Sequence, residues 1–170
     1  MAILTDISKI DNAIRLYKDA QSMYFSIGGS TTEWSSTVPP EPLSTQNSIP
    51  ELIGMKKVNN VSLAIKVDTA TGDNIISYNG NNFQLVGLAD AYSKKATYVY
   101  IASTINSVDF SAPTYRIVGL TNNPAFKPGV TGDTIPSELI TDEGNYQVID
   151  NVSAVDRTSL DINEFVIIQG

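Results

Sequence analysis

The sequence predicts a mainly β domain with one amphipathic N-terminal helix and two long proline-containing loops. Three observations carry that expectation. Ser, Thr and Asn supply 17, 15 and 14 of the 170 residues, and such neutral polar side chains suit exposed sheet faces and turns better than long solvated helices. Charged residues make up only 17%, against roughly 25% in an average globular protein. Beyond Ala20, turn-forming pairs cut the chain into short runs of strand length. With 42% hydrophobic residues there is enough apolar material for a core, so residues 1–170 read as a single domain needing no disulfide.

The helix comes first, inside an N-terminal arm over residues 1–22. Ile7, Ile10, Ala13, Ile14, Tyr17 and Ala20 recur at three- and four-residue spacing and share a face. Thr5 or Asp6 can cap its start, and Lys9, Arg15 and Lys18 lie off the apolar face. A lone helix of this length is marginal in water, so it must dock either on the chain's own sheet or on a neighbouring subunit. Met1–Lys9 carries acid early and lacks a long apolar run, so no signal peptide is expected there.

Met23–Ile27 reads as a strand that ends at Gly28-Gly29. Residues 28–50 then form a Pro/Ser/Thr loop with Pro39, Pro40, Pro42 and Pro50, whose fixed φ and missing amide donors exclude a central strand. The only tryptophan, Trp34, sits in this loop, where it either pins the loop to its own domain or anchors a partner. Strands follow at Ser62–Val67, and at Ile75–Tyr78 and Phe83–Val86, the last two joined by the tight-turn pair Asn79-Gly80 into a hairpin. Interrupted alternation predicts a short helix over Leu88–Lys95. Thr97–Ser103 is apolar on both faces, as expected of an interior strand, with Tyr98 and Tyr100 on one face. Tyr115–Leu120 is a further strand, residues 121–144 a second long loop, and Tyr146–Val152 and Asn163–Gln169 the closing strands.

Chemistry is constrained by what is missing. The chain has no histidine and no cysteine, which removes the commonest general base, the commonest metal ligand, thiolate nucleophiles and cysteine zinc sites. No phosphate loop, nucleophile elbow or dinucleotide fingerprint occurs. Asp68 and Asp73 flank a turn and lack calcium-loop spacing, and Asp142-Glu143 precede Gly144, so turn formation accounts for these carboxylates. No catalytic residue, cofactor or metal site is expected. A net charge of -7 repels phosphate backbones, so nucleic acid is not an expected partner. No run approaches the ~20 apolar residues of a membrane span.

Several motifs together point to a family. Phe25-Ser26-Ile27-Gly28, Ser30, Trp34-Ser35-Ser36 and Pro39-Pro40-Glu41-Pro42 stand near one end, and Arg116-Ile117 with Thr121-Asn122-Asn123-Pro124 further on. Tyr146, Asn151, Arg157 and a terminal apolar strand follow. In this order they resemble segments of the baseplate wedge proteins of contractile-tailed bacteriophages, a family that includes a dimeric wedge subunit of phage T4. The likeness covers the two ends and leaves the middle unaligned. Gly29 and Glu33 depart from the family pattern, and the large central insertion of the T4 protein is missing, so a shortened form is implied.

The resemblance implies a β-sandwich that serves as a virion building block, assembled in the bacterial cytoplasm as a homodimer or higher assembly. The expected role is structural, in a baseplate wedge, through contacts with other virion proteins. Candidate interface residues are Ile7, Ile10, Ile14 and Tyr17 on the helix, Trp34, Pro39, Pro40 and Pro42 in the first loop, and Asn123 and Pro124 in the second. A neck, collar or head–tail junction protein is the nearer alternative, and a receptor- or glycan-binding tail module the more distant one.

Overall fold

The computed structural model describes residues 3–170. Met1 and Ala2, which open both the predicted arm and the Met1–Lys9 stretch, lie outside the described residues. The described chain has the mainly β content, the single long N-terminal helix and the proline-containing loops that the sequence predicts, organised as two five-stranded antiparallel sheets. It divides into two compact units, one of residues 1–21, 59–102 and 165–170, the other of residues 22–58 and 103–164. Among the described residues no helix is long and apolar enough to cross a membrane.

In the first unit, helix α1 (Asp6–Ala20) starts at Thr5, whose hydroxyl accepts from the Ser8 amide at 3.2 Å. Ile10, Ala13 and Ala20 are buried, and the helix packs on strand β3 (Asn60–Val67). Ile10 is therefore part of the chain's own core, at 3% exposure, rather than a free docking residue. Ile14 and Tyr17 are half-buried, and only Ile7 of the four helix candidates stands out, at 64%. Strands β4 (Ile75–Tyr78) and β5 (Asn81–Val86) form the expected hairpin, with Tyr78 opposite Asn81. Asn79 and Gly80 both have positive φ, 47° and 74°, the backbone that a two-residue hairpin turn demands.

Strand β6 (Tyr98–Ile105) lies between β3 and β12 (Ile162–Gln169), interior as its two apolar faces predict. One sheet face collects Tyr100, Phe83, Ala64, Ala102 and Ile167, flanked by Tyr98 and Phe165. Ring centroids lie 5.1 Å apart for Phe83–Tyr98 and 5.5 Å for Tyr100–Phe165, so these tyrosines are packing residues. The helix predicted over Leu88–Lys95 shortens to a 3₁₀ turn at Leu88–Asp90 followed by turns. Its hydrogen bonds mix spacings, and Lys95 at φ 54° ends it; too few residues remain to nucleate an α-helix.

The second unit holds the other sheet, in the order β11 (Asn145–Asp156), β7 (Thr114–Asn122), β1 (Tyr24–Gly28), β2 (Gly54–Lys57), β9 (Thr134–Pro136). Phe25, Ile27, Met55, Leu120 and Ile135 fill its core. The long loop expected over 121–144 is more ordered than its prolines imply. Thr121 and Asn122 continue β7, β9 pairs with β2, and β8 (Ala125–Phe126) pairs with β10 (Ile140–Asp142). Pro136 is tolerated because it ends a three-residue strand at the sheet's edge.

Polar side chains do the work of regular structure around residues 106–113. Arg157 is 1% exposed. Its Nη1 donates to the carbonyls of Phe110 and Ala112 at 3.0 and 2.7 Å, and its Nη2 to those of Asn106 and Ser107 at 2.7 and 3.3 Å. The guanidinium also lies 5.5 Å from the centroid of the Phe110 ring. Nearby, Lys56 Nζ bonds Asp109 Oδ2 at 2.8 Å. Burial opposes the Asp109 charge, but Lys56 and the Asn106 amide outweigh it and hold the carboxyl below its usual range.

Two predictions follow from this packing. Replacing Arg157 by Ala leaves up to four carbonyls without their donor, and unfolding free energy measured in urea should fall by about 3 kcal/mol or more. Arg157→Lys should recover little, because an ammonium cannot reproduce the planar fork. The second concerns Glu164, which accepts from Tyr115 Oη. Burial raises its carboxyl pKa above 4.5, the Tyr115 hydroxyl lowers it, and the Asp150 charge raises it; the net direction is upward. The native state thus binds this proton more readily than the unfolded chain, and the contribution to stability grows as pH falls from neutral through the raised value. Between pH 7 and about 5, Glu164→Gln should flatten that rise in a urea-midpoint series.

Candidate functional site

The loop of residues 30–50 has no strand or helix of its own, yet hydrogen bonds involving side chains tie it down at residues 31, 34, 40 and 49. At its start, Arg116 Nη1 donates to Ser30 O at 2.9 Å, and the Thr31 amide donates to Glu51 Oε2 at 2.9 Å. The Thr31 hydroxyl also donates to the Glu51 carboxylate. These Thr31 bonds hold the Glu51 carboxyl below its ordinary range.

Further along, the indole Nε1 of Trp34 donates to Val152 O at 2.9 Å, and Asn151 Nδ2 donates to Pro40 O at 2.8 Å. Both contacts fall where β11 is irregular, since its register with β7 shifts between Asn151 and Val155. A shift of that kind leaves backbone groups without ladder partners, and the indole supplies a donor there. Trp34 is half-buried and Pro40 exposed, with Pro39 and Pro42 half-buried. Of the two roles open to Trp34, pinning the loop to its own unit is the one with a hydrogen bond behind it.

The loop's far end is tied to Glu143. Its Oε2 accepts from the Ile49 amide at 3.0 Å and from Tyr146 Oη at 2.6 Å, while its carbonyl accepts from Thr121 Oγ1 at 2.6 Å. Burial, followed by the Glu143 hydrogen bond, pushes the Tyr146 phenol well above its usual range. Gly119 makes room for this node: a Cβ there would meet the Tyr146 ring at 2.5 Å and Ile49 Cδ1 at 2.8 Å. Asp142 Oδ1 accepts from the Gly144 amide at 2.7 Å, the turn role that its sequence position predicts. Asn123, at φ 52°, is exposed and Pro124 half-buried, at the turn between β7 and β8.

The clamped loop turns two large apolar residues to solvent, Val38 at 71% and Leu43 at 75% exposure. Neither stood out in the sequence, where they are ordinary apolar residues among prolines and serines. In the first unit the exposed apolar residues are Ile3, Leu4 and Ile7, together with Leu88 and Tyr92. Tyr92 Oη donates to Asp11 Oδ1 at 2.6 Å, and Asp11 lies one helical turn after Ile7. Among the described residues no group of three or more acidic side chains is placed to hold a metal ion.

Charge is divided between the units. The first holds six acidic and six basic side chains, and the second holds twelve acidic and five basic, so the whole surplus of -7 belongs to the second. The negative surplus therefore sits in the unit that carries the fixed loop, and both units expose large apolar side chains.

A family model described as "Baseplate wedge 3 tail fiber network component" matches residues 1–168. "Virion protein 3" of Enterococcus phage phiEF24C is 30% identical over 161 residues, which cover 94% of this chain and 89% of that relative. The family is structural rather than enzymatic, and it replaces the neck or collar alternative with the baseplate. Contacts with other baseplate proteins are part of that role. The chain belongs to the baseplate wedge 3 tail fiber network component family and is a structural protein of the phage virion.

Proposed function

We propose that this chain serves a contractile tail as a passive adaptor, holding neighbouring baseplate proteins through the loop of residues 30–50. One observation carries this reading: a loop without secondary structure is clamped so that Val38 and Leu43 face solvent. A loop ordered in advance loses little entropy on docking, so its exposed apolar side chains can contribute fully to a contact. In this reading Trp34, Pro39, Pro40 and Pro42 set the loop's shape, Val38 and Leu43 make the contact, and Asn123 and Pro124 border it. The contractile-tail assignment is supported by the resemblance of the terminal motifs to those of contractile-tail wedge proteins.

A homodimer is the second part of the proposal, favoured by the neutral first unit. Two copies can approach there without net repulsion, and Ile3, Leu4 and Ile7 offer apolar surface. Ile14 and Tyr17, half-buried on the same helix, would flank such a contact.

Particle incorporation tests the loop. Val38→Asp with Leu43→Asp should leave the circular dichroism spectrum and melting temperature unchanged, while incorporation into purified baseplates drops at least tenfold. Trp34→Phe should give an intermediate loss, with faster amide exchange confined to the loop; full incorporation of both variants would count against the loop. Sedimentation of the purified chain tests the dimer. Ile7→Asp should convert a dimer to monomer, and a monomeric wild type at all accessible concentrations rejects it.

A further inference from the structure

We propose that the trough between residues 42–48 and strand β11 receives an extended, lysine- or arginine-bearing segment of another baseplate protein, which adds a strand to the edge of β11. This deepens the adaptor reading above by naming what one of its surfaces takes.

The trough exists because the loop is fastened at two separated points. The Pro40 and Trp34 contacts hold it near Asn151 and Val152, and the Ile49–Glu143 contact holds it near the start of β11. Between them the loop closes on itself, with Gln46 N donating to Leu43 O at 2.9 Å and Gln46 Nε2 to Ser48 O at 3.1 Å. Two cavities of about 310 and 560 Å³ separate this stretch from the strand, and both are lined by Gln46 and Tyr146. The two adjoin at these residues and together flank the strand.

Its inner wall is a strand edge. β11 is the terminal strand of its sheet, with β7 on one side only. The smaller cavity touches Tyr146, Gln147, Val148 and Ile149 in succession. β11 shifts register against β7 between Tyr146 and Val148, so strict side-chain alternation breaks inside this stretch; what leaves an edge for the groove to follow is that β11 ends its sheet, with the loop rather than a strand beside these four residues. No residue of β11 is buried, despite its long pairing with β7. An added strand is the physical complement of such an edge.

Charge selects the occupant. The groove is lined by Asp142 and Glu143 and by no lysine or arginine. It lies in the unit that holds twelve acidic and five basic side chains. One of those cations, Arg157, is buried and another, Lys56, is paired with Asp109. A second copy would bring the same negative surplus and be repelled, whereas a cationic strand is attracted. Leu43, Val148 and Ile149 along the walls suit apolar side chains at alternate positions of that strand.

The test uses the full chain and a capped octapeptide alternating lysine and valine, with a glutamate–valine octapeptide as its opposite. Binding is read from the single tryptophan's fluorescence and from amide exchange. The lysine peptide should bind at least tenfold more tightly than the glutamate peptide and slow exchange at Gln147–Ile149. Leu43→Lys with Gln147→Lys should weaken it at least tenfold. Ser111→Lys with Thr131→Lys, the same added charge at residues that do not line the groove, should weaken it less than threefold. Equal loss in both double variants, or exchange unchanged at Gln147–Ile149, overturns the proposal as mere charge attraction. A wild-type dimer dissociated by Leu43→Lys with Gln147→Lys overturns it in favour of a second copy. If the chain still enters baseplates while the groove takes no cationic strand, the adaptor role stands and this inference falls.

Discussion

The backbone obligations of one edge strand shape the second unit of this molecule. β11 is the longest strand, it ends its sheet, and its register with β7 breaks between Asn151 and Val155. Backbone groups on such a strand must find donors and acceptors outside the ladder. Trp34 meets that need at the Val152 carbonyl, while Asn151 and Glu143 tie the proline loop beside the strand through the Pro40 carbonyl and the Ile49 amide. The loop gains its order from the strand and the strand gains partial cover from the loop. The arrangement blunts the edge at both ends of the groove and leaves its middle open.

A similar economy governs residues 106–113. A single buried guanidinium bonds four carbonyls there, and the Lys56–Asp109 pair fixes the adjoining strand. Buried charges of this kind hold segments that hydrophobic burial cannot order; here both terminal nitrogens of Arg157 find acceptors while its buried Nε has none among the described residues. The result is a fixed backbone without regular structure. Charge is apportioned in the same spirit. One unit is balanced in charge and the other strongly acidic, so their electrostatic fields differ within one chain.

Much of the architecture was legible in the residues. Helical spacing gave α1, Asn79-Gly80 gave its hairpin, and the two-faced apolar run gave an interior β6. What was missed was short or unsupported by pattern: β2, β8, β9 and β10 are each four residues or fewer. Strands of that size are stabilised by what they pair with, so local sequence barely marks them. Ile10 was legible as apolar and helical, but whether its face met this chain or another depended on what lay opposite.

The motifs that carry the family likeness show where that division falls. Trp34, Arg116, Tyr146, Asn151 and Arg157 were recognisable as a series along the chain, and composition excluded histidine- and cysteine-based chemistry outright. By itself, then, the sequence determined the mainly β class, the helix, the proline loops and the kinship to baseplate wedge proteins. Tertiary structure decided what those residues do: each hydrogen-bonds a partner that is distant in sequence or belongs to another element, as Trp34 does with Val152 and Arg157 with Asn106. It also decided that Val38 and Leu43 face solvent and that the negative surplus collects in one unit. Periodicity and turn chemistry act over a few residues and can be read locally. Hydrogen bonds across a hundred residues, exposure and the grouping of charge exist only once the chain has folded back on itself.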